Sequence, residues 1–595
     1  MTHPREYYVA RIQDFRLKMD LVSREVYRLS WARVLVFLLF LVLFIFFAND
    51  RNGLAMVVSI AVFPLVFGTL VNRFNRKSEL RETYRNLMEM SEEELLRLDY
   101  QLKTLDDGSE YITREHPYSY DLDLFGKHSL FQLLNRTQTP DGRQMIVSWM
   151  LAPASKDEIL IRQEAVSELQ GKMDWVHQFL SAGRSATATV ENTGRLKSWL
   201  LDKSESGASH LFTVLSYIMP SLLVAALVAV VFFGVSIYIL FPFLAVNGII
   251  LARIQEKMRA VSEQTEGNVK LLRSYEKMIT CLIREDFTSD RLQQLCKPFG
   301  MKSVQAIKSL RNLLDILDGR SNMFYGIFDL AFLLDVHLLN RIRKWKSENE
   351  HDLSTWFENI AELEVLSSMG AHAYLFPGHT IPEISADWQL NATGVGHPLI
   401  NPNECVINDF TMQGEGTVVI VTGSNMSGKS TFLRTVGINM ILGLMGSVVC
   451  AERMLIPVSQ VFTGMRSEDD LASHISSFYA ELRRIRALLE KIQTSELPVL
   501  FMLDEILKGT NTQDRHRGSE GLVKQLSMMP AFGFISTHDL EIGRLGEQDK
   551  KIQNYSFNSS IKGDEIIFDY KISPGICHSF NASKLMEKMG IHLAD

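Results

Sequence analysis

The chain has 595 residues, 46% of them hydrophobic and 22% charged, with a formal net charge of −7. The length predicts roughly three to five domains, and the acidic balance gives no support to a generally basic protein that coats nucleic acid, while leaving room for a local basic patch. Five cysteines, at 281, 296, 405, 450 and 577, form no CxxC pair, which fits reduced thiols.

In chain order, residues 1–30 mix charges with Tyr7, Tyr8, Ile12, Phe15, Leu21 and Tyr27 and read as a cytoplasmic leader helix. Residues 31–75 hold two apolar runs, Val34 to Ala48 and Leu54 to Val71, separated by Asn49-Asp50-Arg51-Asn52-Gly53, and read as a first transmembrane hairpin. Residues 76–114 are rich in Glu, Leu and Arg at helical spacing, a connector that Asp106-Asp107-Gly108 ends. Residues 211–252 contain no charged side chain and are long enough to cross a bilayer twice, a second hairpin. Buried helices of a large globular protein are the competing reading, but so long an uncharged run argues against it.

Arg24, Arg28 and Arg33 precede the first span, Arg73, Arg76 and Lys77 follow the second, and Arg253 and Lys257 follow the fourth. The short connectors carry only Arg51, so the positive-inside rule predicts a multi-pass protein of the inner (cytoplasmic) membrane, with its N-terminus, core and C-terminal domain in the cytoplasm.

Between the hairpins, residues 115–210 centre on the run Asp123 to Thr137, followed by Thr139-Pro140-Asp141-Gly142-Arg143 and a helix to Leu151; by pattern these are helices joined by a proline-glycine turn. Residues 253–396 show apolar positions three and four apart, as at Ile307, Leu310, Leu313, Leu314 and Leu317, which predicts long packed helices. Arg341, Arg343, Lys344 and Lys346 flank Trp345, read as a solvated helix face, with nucleic-acid contact as the alternative.

From His397-Pro398 to residue 595, β-branched runs alternate with helical patterns, predicting an α/β domain with a largely parallel sheet. Its organising stretch is Val418-Val419-Ile420-Val421-Thr422 followed by Gly423-Ser424-Asn425-Met426-Ser427-Gly428-Lys429-Ser430-Thr431, a buried strand, a glycine-bounded loop and a helix start. The spacing Gly-x4-Gly-Lys-Ser curls backbone N–H groups around a triphosphate, sets Lys429 on the β/γ-phosphates and offers the Ser430 hydroxyl to Mg²⁺. The helix adds its positive N-terminal end. A second apolar strand, Val499 to Leu503, ends in Asp504-Glu505, a pair suited to holding the metal's water shell and to orienting or deprotonating the attacking water. A third, Phe532 to Thr537, ends in His538, whose imidazole could contact the γ-phosphate; a lone histidine is more often structural.

These strings together resemble the MutS family of mismatch-repair ATPases, relatives of the ABC-type ATPases. The resemblance runs through Thr422 to Thr431, Asp469-Asp470-Leu471-Ala472-Ser473, Ser476-Ser477-Phe478 with Glu481, Asp504-Glu505-Ile506 with Gly509-Thr510, and Ser536-Thr537-His538. The Phe125 to Arg143 segment, Glu362-Leu363-Glu364-Val365-Leu366 with Ala373-Tyr374, and His397-Pro398 also look like the family's core and lever helices. Together with the transmembrane helical hairpins read from the apolar runs, the resemblance implies a fold of the α + α/β class, with a long-helix MutS-like core and lever domain and a C-terminal P-loop α/β ATPase domain. It implies a homodimer in which Lys429, Ser430, Asp504, Glu505 and His538 bind ATP and Mg²⁺, with the Ser476 region of a second copy completing the site. The tail from Pro574 to Ile591 resembles the dimerisation segment.

The sequence departs from the family in four respects. The first 75 residues leave no place for a mismatch-reading domain. His474-Ile475 and Leu507-Lys508 stand where the family has Gly-Arg, and Cys405 stands where an aromatic often stacks on adenine. The expected function is a membrane-anchored ATPase that clamps DNA, with mismatch repair implied by resemblance. The alternative is an ABC-type motor acting on a protein or membrane partner, in transport or membrane-associated regulation.

Overall fold

The computed structural model describes residues 3–50, 52–184, 190–202, 208–424, 426–466, 477–562 and 565–577. Asn425, the 467–476 stretch with Ser476, and the tail beyond Cys577 lie outside the described residues. The chain forms two compact units, one from residues 1–98, 174–285 and 299–354, the other from residues 99–173, 286–298 and 355–595.

In the first unit, the leader and the first apolar run are one helix, Pro4–Asn49, and the second apolar run and the connector are another, Gly53–Leu98. They run antiparallel, held near the tip by Phe40 stacked on Phe63 at 4.1 Å and toward the base by Lys77 paired with Glu25 at 2.5 Å and Arg16 with Glu92 at 3.5 Å. Each has 46 residues, hence about 69 Å at 1.5 Å per residue, more than twice a bilayer's hydrocarbon core. The apolar portions lie at the tip and the polar portions pair below them. His210–Phe233 and Leu240–Thr265 form the other apolar pair, joined through Gly234 at φ 67° and a short 3₁₀ turn. All four helices are long and apolar enough to cross a membrane by length and composition.

An unforeseen apolar helix, Met323–Phe332, turns by 87° into the 42-residue helix Leu334–Leu375. The basic cluster on that long helix is the expected solvated face at Arg341, Arg343 and Lys344, but not at Trp345 and Lys346. Trp345 is 5% exposed and donates its indole N–H to the Ala306 carbonyl at 2.8 Å. Lys346 is buried, its ammonium on the carbonyls of Trp199 and Asp202. The tryptophan belongs to the core of this unit, which removes the aromatic from any nucleic-acid contact, and only Arg341, Arg343 and Lys344 face solvent.

The second unit carries two sheets. Strands β1 (Glu383–Ser385), β2 (Gln389–Val395) and β3 (Asn408–Gln413) are followed by β4 (Val418–Gly423), β5 (Arg453–Pro457) and β6 (Gln460–Gly464). Then come β7 (Val499–Asp504), β8 (Ala531–Thr537), β9 (Ile552–Lys562) and β10 (Glu565–Pro574). The smaller sheet is mixed, ordered β1-β5-β2-β3; the larger is ordered β10-β9-β4-β8-β7-β6 and parallel except for its β10 edge. Both β1 and β2 precede residue 397, so β structure begins earlier than composition indicates. All six residues of β4 and all seven of β8 are buried, as in a sheet covered on both faces, with Ile420, Phe501 and Ile535 among the core.

The 118–171 segment lies in this same unit. Asp121 accepts from the Thr463 hydroxyl at 2.7 Å and from the Met465 and Arg466 N–H groups at 3.1 Å, fastening the segment to the end of β6. Pro140-Asp141-Gly142 is not a turn between helices. Thr139 caps the helix Pro140–Leu151 by accepting from Gly142 N–H, and the proline occupies the first helical position, where its missing N–H costs nothing.

Candidate functional site at the strand ends

The register of the parallel sheet brings three sequence strings to one edge. β4 pairs with β8 so that Thr422 faces Thr537, and β8 with β7 so that Ser536 faces Asp504. The loop after β4 and the residues Asp504, Glu505 and His538 therefore emerge side by side at the C-terminal ends of adjacent strands, where open α/β sheets bind ligands.

The loop is set by its backbone. Gly428 has φ 105°, a left-handed conformation open to glycine, and a Cβ there would also meet the Tyr570 ring at 3.2 Å. Lys429 opens the 17-residue helix Lys429–Met445. Its ammonium, 4% exposed as a residue, lies 2.9 Å from the carbonyls of both Gly423 and Ser424 and 3.4 Å from His538 Nδ1. Burial lowers its pKa, opposed by the Glu505 and Asp504 carboxylates. The Ser424 and Ser427 hydroxyls are buried without a hydrogen-bond partner, orphaned polar atoms in a cradle next to a lysine and a helix N-terminus. Together they fit a phosphate-bearing ligand.

Opposite the loop, Asp504 accepts a hydrogen bond from Ser536 on one oxygen, leaving the second carboxylate oxygen for a cation. Glu505, at φ 50°, has its carboxylate against His538 Nε2 on one oxygen and Lys508 Nζ at 3.0 Å on the other. These partners, His538 first, hold its pKa down to about 2, against burial. His538 Nδ1 lies 2.9 Å from the Gly423 carbonyl, so the ring bridges loop and acidic pair. A cleft of about 430 Å³ opens beside them, lined by Glu505, Lys508, Thr512, Arg515, His516 and His538 among others.

The structure thus brings together Gly423, Ser424, Met426, Ser427, Gly428, Lys429, Asp504, Glu505 and His538, with Ser430 and Thr431 on the first turn of the helix. Asn425 and Ser476 fall outside the described residues. Two neighbours were not singled out as site residues. Lys508, noted only as a departure, pairs with the acidic residue itself. Tyr570, against Gly428, comes from the β-bulge of β10, 142 positions downstream of that glycine, with no local motif to mark it. Cys405 Sγ accepts from His397 N–H at 3.3 Å and so belongs to the 396–405 turn.

Residues 419–591 match the family model for MutS domain V. A DNA mismatch repair protein MutS of Thermotoga sp. (strain RQ2) is 26% identical over 484 residues, 75% of this chain and 59% of that protein. The MutS of Thermotoga petrophila is 33% identical over 222 residues, 37% of this chain and 27% of that protein, and the MutS of Natronomonas pharaonis is 29% identical over 236 residues. The chain spans between 27% and 59% of the length of these relatives. The matched domain V and the relatives aligned with it make residues 419–591, which carry the strand-end geometry, similar to the C-terminal domain of MutS proteins.

Proposed function

We propose that this protein is a membrane-anchored, Mg²⁺-dependent ATPase that binds and hydrolyses ATP at a dimer interface and couples the cycle to clamping DNA. The observation that carries the reading is the convergence of Lys429, Asp504, Glu505 and His538 at the ends of β4, β7 and β8. Mg²⁺ supplies charge neutralisation at the phosphates when bound.

Each residue then has a role set by its chemistry. Backbone N–H groups from Gly423 through Thr431 and the two orphaned serine hydroxyls bind phosphate oxygens, and Lys429 supplies a positive charge already stripped of much of its water. Ser430 and the open oxygen of Asp504 would hold the metal. Glu505 is a strongly acidic carboxylate and therefore a weak base; its task is to orient the attacking water, once His538 swings from it toward the γ-phosphate. The Ser476 region of a second copy completes the site. The four apolar helices anchor the protein in the inner membrane with the ATPase unit in the cytoplasm. The long helix Leu334–Leu375, whose residues fall in both units, serves as the lever.

The DNA part rests on what the relatives are named for. It is tested by ATPase rates of the detergent-purified full chain with duplex, mismatched, branched and single-stranded DNA across a salt series. Stimulation by one form, weakening with salt as phosphate contacts require, supports the clamp. Robust ATPase activity indifferent to every DNA would replace it with the motor acting on a protein or membrane partner. Glu505→Gln tests the site: it should bind ATP normally and lower turnover by about 10²- to 10³-fold, and unchanged turnover would remove Glu505 from the mechanism.

A further inference from the structure

The helix Met323–Phe332 has the polarity of a helix outside water. Met323, Phe324, Ile327 and Phe328 are 73, 64, 59 and 55% exposed, whereas its polar groups turn inward. Asp329 is 7% exposed and accepts from the Asp335 N–H at 2.8 Å, and the Tyr325 hydroxyl donates to the Asp335 carboxylate at 2.9 Å. In water these four side chains would leave most of their apolar surface unburied.

A second observation concerns where this helix is fastened. Asn247, within the uncharged part of Leu240–Thr265, donates to the carbonyls of Leu330 at 2.8 Å and Ala331 at 3.3 Å. Asn247 precedes Arg253, the first charge after the uncharged run, by six positions, about 9 Å along the helix axis. The C-terminal end of Met323–Phe332 is thus pinned inside the apolar length of that helix, not at its charged end. On the other side, Asn340 donates to Thr213 at 2.9 Å and the rings of Tyr217 and His337 lie 4.9 Å apart, which ties the start of the long helix to the first turns of His210–Phe233. Tyr217, Ile218 and Ile249 on the two hairpin helices are 65, 45 and 62% exposed, so the apolar surface of Met323–Phe332 continues that of the hairpin.

We propose that Met323–Phe332 is a lipid-facing helix set at the cytoplasmic boundary of the bilayer beside the second hairpin, with acyl chains covering Met323, Phe324, Ile327 and Phe328. The proposal rests on the membrane reading of that hairpin. It commits to lipid because the surface is continuous with the candidate spans and because the polar groups of the helix are satisfied internally, as hydrocarbon demands. The long helix Leu334–Leu375 then starts at the membrane surface, through the bend at Leu333, a non-glycine residue at φ 53°.

The test uses the full chain in vesicles of phosphatidylethanolamine and phosphatidylglycerol doped with a phospholipid bearing a photoactivatable diazirine on its acyl chain, with adducts mapped by peptide mass. Adducts on the 323–332 peptide should exceed those on the charge-rich Lys156–Gly171 helix by about tenfold, alongside adducts in residues 34–71 and 211–252. Labelled spans with a 323–332 peptide at the control level would overturn the proposal and leave the hairpins standing. Labelling nowhere would overturn the membrane reading beneath it. Phe324→Asn with Phe328→Asn, at positions 64 and 55% exposed, should cut labelling of this peptide about fivefold with the spans unchanged; equal labelling would overturn the assignment. A photoreactive residue at position 328 that links chain to chain instead of chain to lipid would give the face to a second copy and overturn the lipid assignment.

Discussion

Glu364 lies on the long Leu334–Leu375 helix with 0% of its surface exposed. Its carboxylate accepts from the N–H groups of Gln138 at 2.7 Å and Thr139 at 3.1 Å and from the Thr139 hydroxyl, closing the entrance to the Pro140–Leu151 helix. Burial outweighs these hydrogen bonds and pushes the group up from 4.5 to about 7. Because the folded value is the higher one, the group's contribution to stability is fully present below about 4.5 and is lost as pH rises through about 7. The loss is about 3 kcal/mol, at 1.36 kcal/mol per pKa unit. Glu364→Gln keeps the shape and one acceptor oxygen but does not titrate. In urea unfolding of the full chain in detergent, the difference between variant and parent should move in the variant's favour by up to about 3 kcal/mol between about pH 5 and about pH 8.5. Glu364→Ala leaves three donors without their acceptor and should lose about 3 kcal/mol or more at both. A Gln-to-parent difference that stays constant across that range would refute the buried, titrating carboxylate.

Gly533 faces Phe501 across β8 and β7 so closely that a Cβ would stand 2.0 Å from the Phe501 carbonyl oxygen, so Gly533→Ala should destabilise the second unit by about 3 kcal/mol or more, read as a lowered melting midpoint. Trp345→Ala should cost about 3–5 kcal/mol and leave DNA affinity per folded molecule unchanged, since the indole is core; a selective affinity loss at full stability would reverse that reading. Glu505, held to about 2 chiefly by His538, contributes stability present above about 4.5 and lost as pH falls toward 2. The melting-midpoint gap between the protein and His538→Ala should therefore narrow on acidification through that range, and a widening gap would contradict the pairing. Lys508→Met, which frees one Glu505 oxygen, should change kcat about threefold or more with KM for ATP nearly constant, as expected of a positioning residue.

The strand-loop-helix at Val418 to Met445 and the Asp504-Glu505 pair were legible because their signals are local: continuous β-branched runs, a fixed glycine spacing, carboxylates at a strand end. The apolar helices were legible for the same reason, by length and absence of charge. What sequence could not give was pairing at a distance. Nothing local says that the leader and the connector zip together as the lower half of one helical pair, or that Trp345 turns inward onto the Ala306 carbonyl. Pro140 and Gly142 suggested a turn because their punctuation is the same at a helix start; Thr139 decides it, and its own orientation depends on Glu364 more than two hundred residues away. Met323–Phe332 escaped notice because a ten-residue helix is too short to register as a span.

The amide of Asn247 also has a bearing on how the chain is made. Its carbonyl partners at Leu330 and Ala331 are 83 and 84 residues downstream. At a synthesis rate of about 5–20 residues per second, Asn247 is translated some 4 to 17 s before those carbonyls. On the membrane reading proposed above, the amide then waits in an apolar helix without its native acceptors, a cost hydrocarbon does not forgive. A chaperoning contact from the insertion machinery, or a delay in full bilayer entry until residue 331 emerges, would resolve it, so ribosome-stalled chains ending shortly before and shortly after that point should differ in how firmly the hairpin resists alkaline extraction.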